Sequence, residues 1–208
     1  NVLDVLPSLN MTVKLAEEDL KITQYRFSAS QSVARPLFRE KAPFSVFDFE
    51  IQEQQTGNTD LNRTKVLNID NRFEVFPGLR ELVSVSLFYK HFTDPIEQVI
   101  ISTAANTEIT WKNVASAQLG GLEFELKKNL GSLSESLEAF NLAFNATYIQ
   151  SATAIAEDEL IEIRATDPDH LDTRPMYGQS PYIANGIVNY ANDSLGLSVN
   201  AGCNISGP

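Results

Sequence analysis

Apolar and polar side chains alternate along most of the chain. In residues 194–205, SLGLSVNAGCNI, every odd position is small or apolar and every even position is polar or glycine. A strand has a side-chain period of two, so such segments form strands with two different faces. The same pattern recurs often enough to predict an all-β chain of eight strands, near residues 8–15, 20–33, 63–76, 81–93, 110–128, 137–150, 180–190 and 195–206.

The connections between these strands alternate between short and long. Four are turn-like: AEED, PGLR, LGSLSES and ANDS. The three that intervene are long and cover residues 34–62, 94–109 and 151–179. An antiparallel up-and-down barrel in an outer membrane has short periplasmic turns and long external loops. The strands also exceed the ordinary length of about 5–6 residues and reach the roughly 9–11 that a tilted span needs.

The polar face of the strands carries charge, whereas the apolar face carries none over long spans. The charged positions on the polar face are Arg26, Asp70, Arg72, Glu74, Lys90, Glu123, Glu125 and Lys127. This arrangement fits a barrel with lipid outside and a polar lumen. It also fits a soluble sheet with one solvated face. Phe88 is an apolar exception on the polar side, and the phase of PYIANGIVNY (181–190) is ambiguous.

Composition excludes several classes of function. The net charge is −11, from 27 acidic and 16 basic residues, which argues against nucleic acid as a partner. The single cysteine, Cys203, is interpreted as a small apolar residue of its strand. No apolar run of about 18 residues is present, so no membrane-spanning helix is predicted. Because no nucleophile elbow, phosphate-binding loop or metal-ligand spacing appears, we predict no enzyme activity, no cofactor and no metal site.

Five segments, in order, resemble the barrel of TonB-dependent outer-membrane receptors, particularly those typical of Bacteroidetes. The segments are SQSVARPLFREKAPFSVFDFE (30–50), TGNTDLNRTKVLNIDNRFEVFPG (56–78), VSVSLFYKHFTDPIEQVI (83–100), AQLGGLEFELKKNLG (117–131) and RPMYGQSPYIANGIVNYANDSLGLSVN (174–200). The resemblance implies a 22-stranded barrel with a plugged lumen. It also implies location in the cell outer membrane and active uptake of a scarce nutrient, such as a metal chelate, a vitamin or a glycan.

Under this resemblance, residues 1–208 are expected to be an open part of the barrel that lacks the plug domain and the remaining strands. The implied partners are the receptor's own plug, the TonB complex through an N-terminal part, outer-membrane lipid, and a small-molecule or glycan ligand. Two alternatives remain at this point. One is a soluble all-β binding or adhesion module, and the other is a self-contained eight-stranded outer-membrane barrel.

Two acidic residues correspond to family positions that contact the plug. In the family, inner-wall acids pair with arginines of the plug, and Asp70 and Glu123 occupy the matching places, the latter in Gly121-Leu122-Glu123. A carboxylate in a crowded lumen needs a cation to offset its desolvation. The alternative is pairing within the barrel wall, for instance with Arg72 or Lys127.

The long loop from Ala34 to Thr59 combines cations with aromatic rings. Exposed rings beside cations suit an anionic or ring-bearing ligand, although such rings often pack on one another instead. The candidate ligand contacts are Arg35, Phe38, Arg39, Phe44, Phe47 and Phe49. A second loop, residues 156–172, is rich in Asp and Glu, and we interpret it as a solvated acidic loop because its spacing fits no calcium loop.

Overall fold

The computed structural model describes residues 3–18, 21–50, 52–102, 107–192 and 194–208. Neither helix in these ranges is long and apolar enough to cross a membrane. The elements in chain order are β1 (Ser8–Glu18), β2 (Lys21–Ala34), α1 (Phe38–Lys41), β3 (Ser45–Asp48), β4 (Glu53–Thr56), β5 (Thr64–Phe76), β6 (Leu82–Thr93), β7 (Ile96–Ser102), β8 (Thr107–Asn113), β9 (Ser116–Asn129), β10 (Phe140–Ala154), α2 (Glu157–Thr166), β11 (Thr173–Arg174), β12 (Tyr182–Asn192) and β13 (Leu197–Ser206).

Eight long strands form one antiparallel sheet, which we call the wall. Their order is β1-β2-β5-β6-β9-β10-β12-β13, and each strand pairs with its neighbour along this path. The prediction of an all-β, up-and-down fold with eight strands is therefore confirmed. Within the part of the chain that the structure describes, β1 and β13 each have only one neighbour in the wall, so this sheet is open and is not a self-contained barrel.

The predicted fifth strand, near residues 110–128, is two strands in the structure. Its first part is β8, which pairs with β7 and with β4, and its second part is β9, which belongs to the wall. The chain changes partner at Val114, whose amide donates to the Pro95 carbonyl at 2.9 Å. The alternation is interrupted here, since Lys112 and Asn113 are both polar and Val114 and Ala115 are both apolar. An interruption this short does not by itself show that the chain changes partner.

The register places the charged and apolar residues of the wall on opposite faces. Arg72 lies opposite Arg26 on one side and Ser86 on the other, and Ser86 lies opposite Glu123. Directly paired residues of an antiparallel sheet point the same way. We call this charged side the lumen face and the other side the outer face. Asn185 pairs with Asn145 and Asn204, which settles the phase of residues 181–190.

The outer face is apolar, and no second layer covers it in the described part of the chain. Leu87, near the centre of the wall, is 56% exposed. Other exposed apolar residues of this face include Met11, Phe73, Val85, Leu122, Val199 and Ile205. A soluble two-layer sandwich would bury these side chains against a second sheet. The soluble alternative is therefore not what the chain forms.

Tyrosines lie toward the external end of the outer face. The Tyr89 hydroxyl donates to Gln118 at 3.2 Å, and the Tyr148 hydroxyl accepts from Gln150 at 2.9 Å. Rings of this kind occupy the membrane-water interface, where one end is apolar and the other meets polar groups. Tyr25 lies lower on the outer face, where its hydroxyl donates to Asn71 at 2.6 Å.

The long connections fold into a second, smaller sheet, which we call the loop sheet. Its order is β3-β4-β8-β7, with β4 and β8 parallel. Buried side chains hold it together, among them Val99 and Ile109. Since β4 and β8 come from different connections, pairing between them could not be predicted from alternation within either segment.

Phe88, the apolar exception on the lumen face, packs against a glycine. It lies directly opposite Gly121 in the register of β6 and β9. A Cβ atom added to Gly121 would lie 2.4 Å from the Phe88 ring and 2.5 Å from the Tyr148 carbonyl oxygen. The glycine is therefore required by close approach, both to a side chain and to the neighbouring backbone.

We expect Gly121→Ala to destabilise the wall by about 1–3 kcal/mol, because overpacking against backbone cannot be relieved by rotating a side chain. The measurement is the urea midpoint of the folded full-length receptor in detergent. Gly186→Ala is the matched control, since the nearest atom to its added Cβ is 3.9 Å away. Equal midpoints for the two variants would contradict the steric explanation.

Candidate functional site

A network of charges crosses the lumen face through β2, β5, β6 and β9. The Arg72 guanidinium donates to Glu74 and to Glu125, each at 2.7 Å. Lys127 reaches the other oxygen of Glu125 at 2.8 Å. The guanidinium also donates to Ser86 of β6 at 3.1 Å, so Arg72 ties β5 to both β6 and β9 on this face. We call this group the Arg72 network.

Glu74 is the most enclosed member of the Arg72 network, with its side chain 6% exposed. It also accepts from Gln24 at 2.6 Å, and Arg26 lies 4.0 Å away. A buried carboxylate of this kind needs cations and amide donors to offset the loss of water. Arg72, Gln24 and Arg26 together provide them.

Asp70 and Glu123 lie beside the Arg72 network on the lumen face, but they do not join it. Asp70 is two residues before Arg72, and Glu123 is two residues before Glu125. Both are partly exposed, and neither has a hydrogen-bond or ion-pair partner among the residues that the structure describes. The wall cations considered for them, Arg72 and Lys127, bind Glu74 and Glu125 instead. The two acids are thus left available to a cation from outside the wall.

The lumen face of β10, β12 and β13 is neutral. None of these three strands contains a charged residue. Asparagine side chains join them instead: Asn185 donates to Asn145 at 2.7 Å, and Asn189 donates to Asn200 at 2.5 Å. The charged half and the neutral half therefore give the lumen face two different chemistries.

The candidate ligand loop has its two arginines in different places. Arg39 binds Asp48 at 3.2 Å and also contacts Gln55, so it holds α1 against the β3-β4 hairpin. Arg35 lies instead 3.9 Å from Asp4, which precedes β1. The structure does not gather the two arginines into one cluster.

The phenylalanines of this loop are largely exposed. Phe38 and Phe49 are each 83% exposed, and Phe44 and Phe47 are about half exposed. Phe47 and Phe49 form an edge-to-face pair with ring centroids 5.1 Å apart. Two of the rings therefore pack on each other, which was the alternative to ligand contact. All four still present apolar surface to the outside.

The acidic loop predicted at residues 156–172 contains the helix α2, which is anchored to the other loops. Lys112 of β8 binds Asp158, and Arg174 of β11 binds Glu159 at 2.5 Å. The hydrogen bond from Lys112 lowers the pKa of Asp158. Within the described ranges, no group of three His, Cys, Asp or Glu residues is placed to hold a metal ion.

Glu97 of β7 is a buried acid that the sequence did not single out. It is 9% exposed, and burial raises its pKa; the charge of Glu159 raises it further and Arg174 opposes the rise. Its only sequence signal is an acidic residue within an apolar stretch, PIEQVII. Glu97 therefore lies where β7 approaches α2 and β11.

Comparison with known proteins agrees with this architecture. A family model described as TonB dependent receptor-like, beta-barrel matches residues 2–206. No curated protein matches the chain. Members of that family are outer-membrane transporters and not enzymes, which agrees with the absence of catalytic motifs from the sequence.

Several solved siderophore receptors share the fold. The siderophore receptor PirA from Pseudomonas aeruginosa is 17% identical, with a TM-score of 0.66 over 97% of this chain and 33% of that one. The ferric enterobactin receptor PfeA from Pseudomonas aeruginosa, in complex with enterobactin, is 17% identical, with a TM-score of 0.61 over 97% and 28%. PirA from Acinetobacter baumannii is 18% identical, with a TM-score of 0.57 over 89% and 26%. The chain thus spans a third or less of these receptors, and the likeness concerns the fold.

We expect Glu97→Gln to tighten the packing of α2 on the loop sheet at neutral pH. A raised pKa means that folding favours the protonated carboxyl, so the favourable contribution is present at low pH and is lost as pH rises through the raised pKa. The amide of the Glu97→Gln variant does not ionise, so this contribution is not lost at neutral pH. Limited proteolysis of the full-length receptor at pH 7.5 should cut the loops of the variant more slowly than those of the wild type.

Glu162→Gln, an exposed change on α2, is the matched control and should leave the proteolysis rate unaltered. The difference between Glu97→Gln and wild type should shrink below pH 4.5, the ordinary pKa of the group. Faster cleavage of Glu97→Gln at pH 7.5 would mean that attraction to Arg174 outweighs burial.

Proposed function

The chain belongs to the TonB-dependent receptor β-barrel family, and from that premise we propose that it forms part of the barrel wall of a receptor for TonB-dependent nutrient uptake. The observation that carries this proposal is the division of the wall into an exposed apolar outer face and a charged lumen face. A sheet with those two faces separates hydrocarbon from an aqueous interior.

The wall closes, in this proposal, with further strands that pair with β1 and β13. Every residue of both edge strands is exposed. In lipid, an unpaired strand edge leaves backbone groups unsatisfied at a cost of several kcal/mol each, so only closed barrels are stable. Additional strands from the same receptor would satisfy these edges.

A plug domain inside the barrel is the proposed partner of Asp70 and Glu123. The two acids lie beside the Arg72 network without joining it, and the network's own cations Arg72 and Lys127 are already engaged by Glu74 and Glu125. A plug guanidinium beside either acid would pair with its carboxylate and offset its desolvation. The Arg72 network itself is internally satisfied and would act as a rigid support for that contact.

We expect Asp70→Asn combined with Glu123→Gln to weaken plug retention in the full-length receptor. Leaving a buried guanidinium without its carboxylates costs about 3–5 kcal/mol. The measurement is the urea concentration at which the plug becomes susceptible to protease, together with energised uptake. Glu108→Gln in the loop sheet is the matched control, since it removes an acid outside the lumen. Wild-type plug release in the double variant would refute the assignment.

The external loop from Ala34 to Thr59 is the proposed ligand surface. Exposed rings near arginine suit an anionic, ring-bearing metal chelate. The structural neighbours are siderophore and ferric enterobactin receptors, which favours the same class of ligand over a vitamin or a glycan. Phe38 and Phe49 supply the most exposed rings.

We expect Phe38→Ser combined with Phe49→Ser to weaken binding of ferric enterobactin to the full-length receptor about tenfold, because two aromatic contacts are lost. Equilibrium binding measured by quenching of intrinsic fluorescence tests this. Leu133→Ser is the control: it removes an equally exposed apolar side chain, 73% exposed, from the turn between β9 and β10. If the wild type does not bind the probe, the choice of a metal chelate is wrong. If all three proteins bind it equally, the loop assignment is wrong.

A further inference from the structure

The outer face changes character immediately above its tyrosines. In β6 the outward residues run Val83, Val85, Leu87, Tyr89 and then His91. His91 lies opposite Leu67 of β5, and the next outward residue of β5 toward the loops is Lys65. Successive outward residues are separated by about 6.6 Å along a strand. His91 and Lys65 therefore lie one and two steps beyond Tyr89, at the height of lipid headgroups.

Cations are concentrated at this rim although the chain as a whole has a net charge of −11. Between the ends of the wall strands near the short turns and their ends near the long loops, which we call the external rim, no described residue of the outer face is charged. At the external rim Arg63 precedes Lys65, and Arg35 follows β2. Two acids lie among them: Asp4, which binds Arg63 at 2.9 Å and lies 3.9 Å from Arg35, and Asp94, which lines an adjoining cavity together with Arg35, Arg63 and Lys65. Three permanent cations and one imidazole thus face two carboxylates.

These cations border a groove on the outer side of the wall. The wall lines it with Val33, Leu67 and His91, and Arg63 and Lys65 also line it. The segment before β1 contributes the acid Asp4 and the exposed apolar residues Leu3, Val5 and Leu6. Lys65 and His91 have no ion-pair partner within the described ranges. The groove thus combines apolar surface with an unpaired lysine and an unpaired imidazole.

We propose that this groove binds the phosphate of an outer-leaflet lipid headgroup. Charge complementarity carries the assignment: the lysine and arginine supply attraction, and the imidazole of His91 adds a further donor. The apolar residues below, from Leu67 to Tyr89, continue onto the exposed outer face, where acyl chains of the same lipid would lie. The inference rests on the proposed position of the wall in the outer membrane and adds a specific lipid contact to it.

The test uses the full-length receptor purified in detergent and incubated with diphosphorylated lipid A or with the same lipid after enzymatic removal of its phosphates. Native mass spectrometry measures the fraction of receptor that retains lipid. The variant is Lys65→Gln combined with His91→Gln, which spares the Asp4-Arg63 ion pair. The matched control is Lys90→Gln, the residue beside His91 in the same strand, which points into the lumen.

We expect the variant to retain roughly fivefold less diphosphorylated lipid than the wild type, because each surface cation contributes a modest attraction. Lys90→Gln should match the wild type, and the dephosphorylated lipid should be retained weakly by all three proteins. Equal retention of both lipids, or equal retention by variant and wild type, would overturn the proposal. Competition by millimolar inorganic phosphate alone, with no preference for lipid, would also overturn it, since the site would then be one for free phosphate.

Failure of this inference is distinguishable from failure of the proposed function. If lipid retention is unaffected while energised uptake persists, only the headgroup site is refuted. If the receptor does not fractionate with the outer membrane, the underlying placement of the wall is refuted.

Discussion

A strand that separates hydrocarbon from water must satisfy its backbone within the sheet and present opposite chemistry on its two faces. The main features of the wall follow from that constraint. Long strands, continuous antiparallel pairing and side-chain alternation are its direct consequences. In β6, for example, Leu87 is exposed on the apolar outer face, whereas its neighbours in the strand point to the charged lumen face. In a soluble sheet, the pattern would instead bury the apolar side.

The constraint also explains how charge is distributed. Guanidinium and carboxylate groups occur on the lumen face, where Arg72 bridges Glu74 and Glu125 and stabilises the pairing of distant strands. The same groups on the outer face would face hydrocarbon, and among the described residues they occur there only at the two ends of the strands. Asp70 and Glu123 are conspicuous in this arrangement because they lie in the charged half without a partner in the described structure.

Side-chain alternation was sufficient to predict the wall but not the loops. Eight strands and their faces follow from a period of two, because in a one-layer wall each residue meets either lipid or lumen. The phase of residues 181–190 became clear only through the pairing of Asn185 with Asn145 and Asn204. The loop sheet was not predicted, since the pairing of β4 with β8 depends on two distant connections. Burial of Glu97 depends on the same long-range packing.

Spin-label accessibility at two adjacent positions of β6 tests the central claim most directly. The full-length receptor, with Cys203→Ser as background, would carry a nitroxide either at Leu87→Cys or at Ser86→Cys. The account predicts that the label at position 87 is relaxed mainly by oxygen, which partitions into lipid, and that the label at position 86 is relaxed mainly by a water-soluble nickel chelate. The reverse order, or equal exposure of both labels to the chelate, would contradict it.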